Sequence, residues 1–217
     1  SVGGGMIMLA SLGQFVGASA LIPLHASVQL LNNISRVYVY KEHINFGILK
    51  TILWASFIGS LIAIFIFQNL DEYILTLIIG CSILFLTWVP INKFIKHSLA
   101  NDLICGLLAG VAGIFIGANG PIVTAFMRLK NLSPKSLVAN HGLVMVFQHS
   151  IKIILFISVI GFSLLSYIPL IVFLGLMGYL GTKAGKRLIN KIDFKLFQTV
   201  LKFLLSVLAI LLILRAE

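Results

Sequence analysis

The chain has 217 residues, of which 59% are hydrophobic and only 10% charged, and a mean hydropathy of +1.10. A soluble domain carries about 25% charged residues, so a water-soluble globular fold is excluded. The formal net charge of +10 does not mark a nucleic-acid binder, because the bases sit in short connections between apolar runs, where cytoplasmic loops of membrane proteins collect Lys and Arg.

In chain order, no cleavable signal peptide is visible, and Ser1 stands directly ahead of Gly3-Gly4-Gly5 with no initiator Met, so a preceding segment is expected. A short apolar segment over 6–15 comes next, then a helix over about 25–40. Longer apolar helices are expected over 48–68 and 73–91. After a polar break at 92–101 the order returns: a small-residue helix over 102–116, the run Gly117-Ala118-Asn119-Gly120-Pro121, a short segment over 122–128, and a long helix over 134–160. Two further helices are expected over 167–185 and 194–214. An apolar run of about 20 residues crosses a hydrocarbon core of about 30 Å. The fold expected is an all-α polytopic membrane protein of two repeats, 1–96 and 97–217, the first without its leading helix. Each repeat pairs short helices at a Gly-rich break and adds three long transmembrane helices.

Charge sets the orientation. Lys41, Lys50, Lys93 and Lys96 sit opposite the acidic turn at Asp71-Glu72. If 102–116 and 122–128 fold as an in-and-out pair, then Arg128, Lys130, Lys135, Lys183, Lys186, Arg187, Lys191 and Lys195 reach the same cytoplasmic side. A single broken crossing would put all eight outside. The in-and-out choice gives each repeat an odd number of crossings, so the repeats are inverted.

Two basic side chains lie in apolar segments, in matching settings. Arg36 follows His25 by eleven residues, as Lys152 follows His141, and each comes three to four residues after a polar pair, Asn32-Asn33 or Gln148-His149. A charge in the bilayer costs roughly 2.5–3.5 kcal/mol on insertion scales, and such residues commonly face a pathway or ligand. The acids Glu42, Asp71, Glu72, Asp102, Asp193 and Glu217 all fall in loops or at segment ends, so no central counter-ion is at hand. A buried base without a counter-ion suits an anion. The alternative for Lys152 is capping by backbone carbonyls, and for Arg36 it is snorkelling towards the cytoplasmic face.

The glycine breaks are expected to let the backbone unwind, so that a half-helix starting just after them aims its free N–H groups at the break. Close helix packing is the other reading, and Gly106, Gly110 and Gly113 show that pattern. His43 and His97 are expected in solvent and His25 at the interface or the site. His141 suits an interhelical hydrogen bond, and His149, three residues before Lys152, is a possible proton carrier. The full set of candidate substrate-binding residues is Lys152, Arg36, His149, Gln148, Asn32, Asn33, Asn119, Gly120, Gly3, Gly4, Gly5, His25 and His141. No metal and no cofactor are expected. A redox relay would need paired cysteines, and Cys81 and Cys105 are single residues in apolar stretches. A membrane-embedded enzyme, the alternative function, would need His and carboxylates to converge.

The glycine clusters opening each half, the Ile-Pro-Leu-His-Ala-Ser stretch at 22–27, the Tyr-Lys-Glu-His-Ile-Asn-Phe turn at 40–46 and the Asn-His-Gly…Phe-Gln-His-Ser-Ile-Lys helix at 140–152 resemble the TauE/SafE family of sulfite and organosulfonate exporters. The resemblance covers nearly the whole chain in two copies. It implies a multi-pass transporter of small, often sulfur-containing anions in a prokaryotic cell membrane. The expected partners are an anionic substrate and the lipid bilayer, no nucleic acid, and a second copy if the protein is a homodimer.

Overall fold

The computed structural model describes residues 2–90, 99–117, 119–188 and 193–215, and among them every regular element is helical. The helices are α1 (Val2–Leu12), α2 (Ala18–Tyr40), α3 (Phe46–Phe67), α4 (Glu72–Trp88), α5 (Leu99–Ile116), α6 (Gly120–Arg128), α7 (Pro134–Ser158), α8 (Ile168–Leu188) and α9 (Phe194–Leu214). Among the described residues, three stretches, Phe46–Phe67, Pro134–Ser158 and Lys195–Leu214, are long and apolar enough to cross a membrane. At about 1.5 Å per residue, the 22 residues of α3 alone reach about 33 Å.

Helix ends follow from local chemistry. The side chains of Asn45, Asp71, Ser133 and Asp193 cap α3, α4, α7 and α9 by accepting from backbone N–H groups of the first turn. Pro134 stands in the first turn of α7 and Pro121 in that of α6, where a missing N–H costs nothing. Two expectations are corrected. The second helix begins at Ala18 rather than near residue 25, so Pro23 lies inside it, one turn from the start, where it forfeits a single backbone bond. Gly3, Gly4 and Gly5 are not an unwound break but part of α1. Glycine costs about 1 kcal/mol in a helix relative to alanine, yet a backbone away from water must satisfy its own polar groups, and a helix does that.

α3 and α5 lie backbone to backbone. A Cβ on Gly110 would overlap the Ser56 carbonyl, and one on Gly59 the Leu107 carbonyl, so the small residues of α5 do serve helix packing. α2 packs along α7, α4 along α9, α7 also against α3, and α2 against α8.

Polar contacts sort the helix ends into two sets. Lys130 pairs with Asp102 at 2.6 Å, joining the end of α6 to the start of α5. Asn140 accepts from the Asn45 N–H (2.8 Å) and donates to the His43 carbonyl (3.2 Å), joining α7 to the turn between α2 and α3. At the opposite end Glu72 accepts from the Ser19 N–H (3.2 Å), and Arg215 donates to the Gly13 carbonyl (3.0 Å). α5 and α6 therefore turn back on each other rather than continuing across. The first end carries Lys41, Arg128, Lys130 and Lys135 against the acids Glu42 and Asp102, and the second carries Asp71 and Glu72 beside Arg215. Lys93, Lys96, His97, Ala118 and Lys191 lie outside the described residues, as do the side chains of Lys183, Lys186 and Arg187.

Candidate functional site

α2 and α7 run antiparallel along a shared polar face. His25 meets His149 edge to face (centroids 6.1 Å apart), and eleven residues on, Arg36 lies beside Gly142. Between these levels lies a cavity of about 50 Å³, room for a few waters. α2 lines it with His25, Gln29, Asn33 and Arg36, and α7 with His141, Met145 and His149. α1 adds Gly5 and Met6, and the link into α6 adds Gly117, Asn119, Gly120 and Pro121. Among these described lining residues none is acidic.

Each expected residue has a definite place. Arg36 is half-buried, and its Nη1 donates to Asn33 Oδ1 of its own helix at 3.3 Å. Lys152 is 1% exposed and does not line the cavity; its Nζ donates 3.1 Å to the carbonyl of Gly117, just past the end of α5. A helix end carries unpaired carbonyls and the negative end of the macrodipole, so an ammonium there is matched by charge and by hydrogen bonding. Gly117 has φ of +75°, the left-handed conformation glycine adopts freely, and this turns its carbonyl out of the helix.

Asn119 and Gln148 are both buried and bonded to each other, with Asn119 Nδ2 donating to Gln148 Oε1 and also to the Ala109 carbonyl at 2.8 Å. Gln148 thus stands behind the lining. His141 approaches the Gly120 carbonyl at 3.4 Å and His25 the Gly5 carbonyl at 3.0 Å, so both reach a glycine at the start of a short helix. His25 is 2% exposed, a buried site residue rather than an interfacial one. Asn32, one residue from Asn33, points away against Gly178 of α8. Gly4 has nothing within 4 Å of a Cβ position and does not line the cavity, and the surroundings of Gly3 lie outside what is described. His43 is exposed.

The first glycine run contributes differently from the second. Gly5 offers a carbonyl to His25, and a side chain there would collide with the Gln29 amide. Gly120 opens α6, whose positive end faces the cavity. Gln29 was not among the expected residues. Its signal was available: it lies four residues after His25 and four before Asn33, on one helical face.

A larger cavity, about 290 Å³, lies at the acidic end between α1, α2, α4 and α9. Its two charged groups, Glu72 and Arg215, are of opposite sign, and each binds a helix end. The cysteines are free, Cys81 exposed on α4 and Cys105 buried on α5.

The family described as "Sulfite exporter TauE/SafE" matches residues 1–212 of the chain. No curated protein and no solved structure gives a match. The chain belongs to the TauE/SafE family, a family of membrane transporters of sulfite-like anions rather than of enzymes.

Proposed function

We propose that this TauE/SafE protein exports a small oxyanion, sulfite or an organosulfonate or carboxylate, bound in the cavity between α2 and α7. One observation carries the reading: Arg36, a half-buried cation that donates to the neutral Asn33, faces a polar cavity that no described carboxylate lines. Its planar fork matches sulfonate and carboxylate oxygens in pairs. The positive end of α6 adds to the same field. Lys152 holds the end of α5 in place behind it.

Transport then proceeds by alternating access of two inverted repeats, 1–96 and 97–217. The packing supports a pseudo-twofold relation, since α2 packs on α8 of the other repeat as α7 packs on α3, and α1 lies on α2 as α6 lies on α7. The basic end is cytoplasmic by the positive-inside rule. No phosphate-binding GxxxxGK[ST] loop occurs in the chain, and a monoanion leaving a negative-inside cell gains about 2.3 kcal/mol per 100 mV, sufficient for uniport.

The test is reconstitution in liposomes with sulfite, sulfoacetate, taurine and acetate as trial substrates, with Arg36→Ala beside the wild type. Flux of at least one anion, lost in the variant while its helical content is retained, is the expected result. Flux that survives the substitution would remove Arg36 from the site.

A further inference from the structure

We infer that the cavity selects a monoanion bearing its own hydrogen-bond donor, a protonated oxyanion or a hydroxylated sulfonate, over an anion with no donor. This rests on the reading of the α2–α7 cavity as an oxyanion site. The lining does not present donors alone, as a site for a bare anion would.

Two of its side chains end in buried acceptors. A carbonyl only accepts, so the His25 Nε2 lying 3.0 Å from the Gly5 carbonyl is the donor of that bond. On a ring with one proton, Nδ1 is then a bare lone pair, and it is buried without a partner among the described residues. The Asn119 amide is oriented by the same logic. Its Nδ2 donates to the Ala109 carbonyl at 2.8 Å and to Gln148 Oε1, which fixes Oδ1 as an acceptor, also buried and unpaired among the described residues. Both residues line the cavity.

An anion with only lone pairs would engage Arg36 while turning oxygens towards these two acceptors. They would remain unsatisfied, with repulsion added. A substrate O–H or N–H satisfies one of them and keeps the charge that Arg36 attracts. Sites built around a substrate hydroxyl reject the analogue lacking it more strongly than apolar pockets reject a missing methylene.

Isethionate and ethanesulfonate test this directly, since they share one charge and one sulfonate and differ by a hydroxyl. Titration calorimetry on the purified full chain in detergent should give isethionate binding tighter by about tenfold or more, the effect of one buried acceptor gaining a partner. His25→Phe and Asn119→Ala each remove one acceptor, and in at least one of them the ratio of isethionate to ethanesulfonate affinity should fall towards one. Equal binding of the two sulfonates by the wild type overturns the inference and leaves the anion site standing. Failure of both sulfonates and of sulfite to bind overturns the site itself and the inference with it. The wild-type comparison decides the matter even if neither variant folds.

Discussion

Arg36 on α2 and Lys152 on α7 occupy equivalent places in the sequence, each eleven residues after a histidine, yet the structure uses them differently. Lys152 is sealed and spends its ammonium on the Gly117 carbonyl at the end of α5. Arg36 is half-buried, is held among the described residues by Asn33 of its own helix, and faces the cavity. The difference is set by what lies opposite. α7 has a helix C-terminus within reach of its base, and α2 has a polar cavity. A buried cation is therefore not by itself a ligand group; its role depends on whether a backbone carbonyl or open space meets it.

Substitutions can break this contrast. The largest effect is expected from Lys152→Met, which leaves the Gly117 carbonyl unpaired in a dry interior and should cost about 2–4 kcal/mol of stability, read by thermal unfolding in detergent. If that variant keeps wild-type stability and loses anion binding instead, Lys152 and not Arg36 is the ligand group. Arg36→Ala should reverse the pattern: binding weaker by about 10–100-fold, the worth of a charged hydrogen bond, with stability changed by less than about 1 kcal/mol. Arg36→Lys should recover part of the affinity, because a point charge replaces the planar fork. The smallest expected effect separates the neighbours Asn33 and Asn32. Asn33→Ala frees the Arg36 guanidinium and should weaken binding about 3–10-fold. Asn32→Ala, which alters a side chain packed on Gly178, should leave affinity unchanged. Equal losses from the two would mean that the register of α2 is misassigned.

Much of this architecture was legible in the sequence. Apolar runs of bilayer length predict α3, α4 and α9 to within a few residues, because lipid and the protein interior both demand long self-satisfied helices. The polar break at Asn119-Gly120-Pro121 marks the start of α6 because proline and glycine act locally. Where an outcome depended on a neighbour, the reading was incomplete. The second helix is expected to start near residue 25, but packing carries it back through Pro23 to Ala18. Gly3, Gly4 and Gly5 looked like the counterpart of the second break, but they are helical, and Gly5 reaches the site where Gly4 does not. Gln29 has the spacing of the cavity face, yet a lone glutamine points to no ligand until the helix opposite it is known.

The sequence by itself determined a multi-helix membrane protein, the division of charge between its two ends, and a concentration of polar groups on α2 and α7. These follow from composition and short-range rules that need no knowledge of which helix touches which. Only the tertiary structure decided that Asn33 faces the cavity while Asn32 faces α8, that Lys152 closes the end of α5, and that His25 and Asn119 present bare acceptors. Helical periodicity groups residues into faces, but the rotation and register of one helix against another choose the face that meets a carbonyl, a neighbour or a cavity.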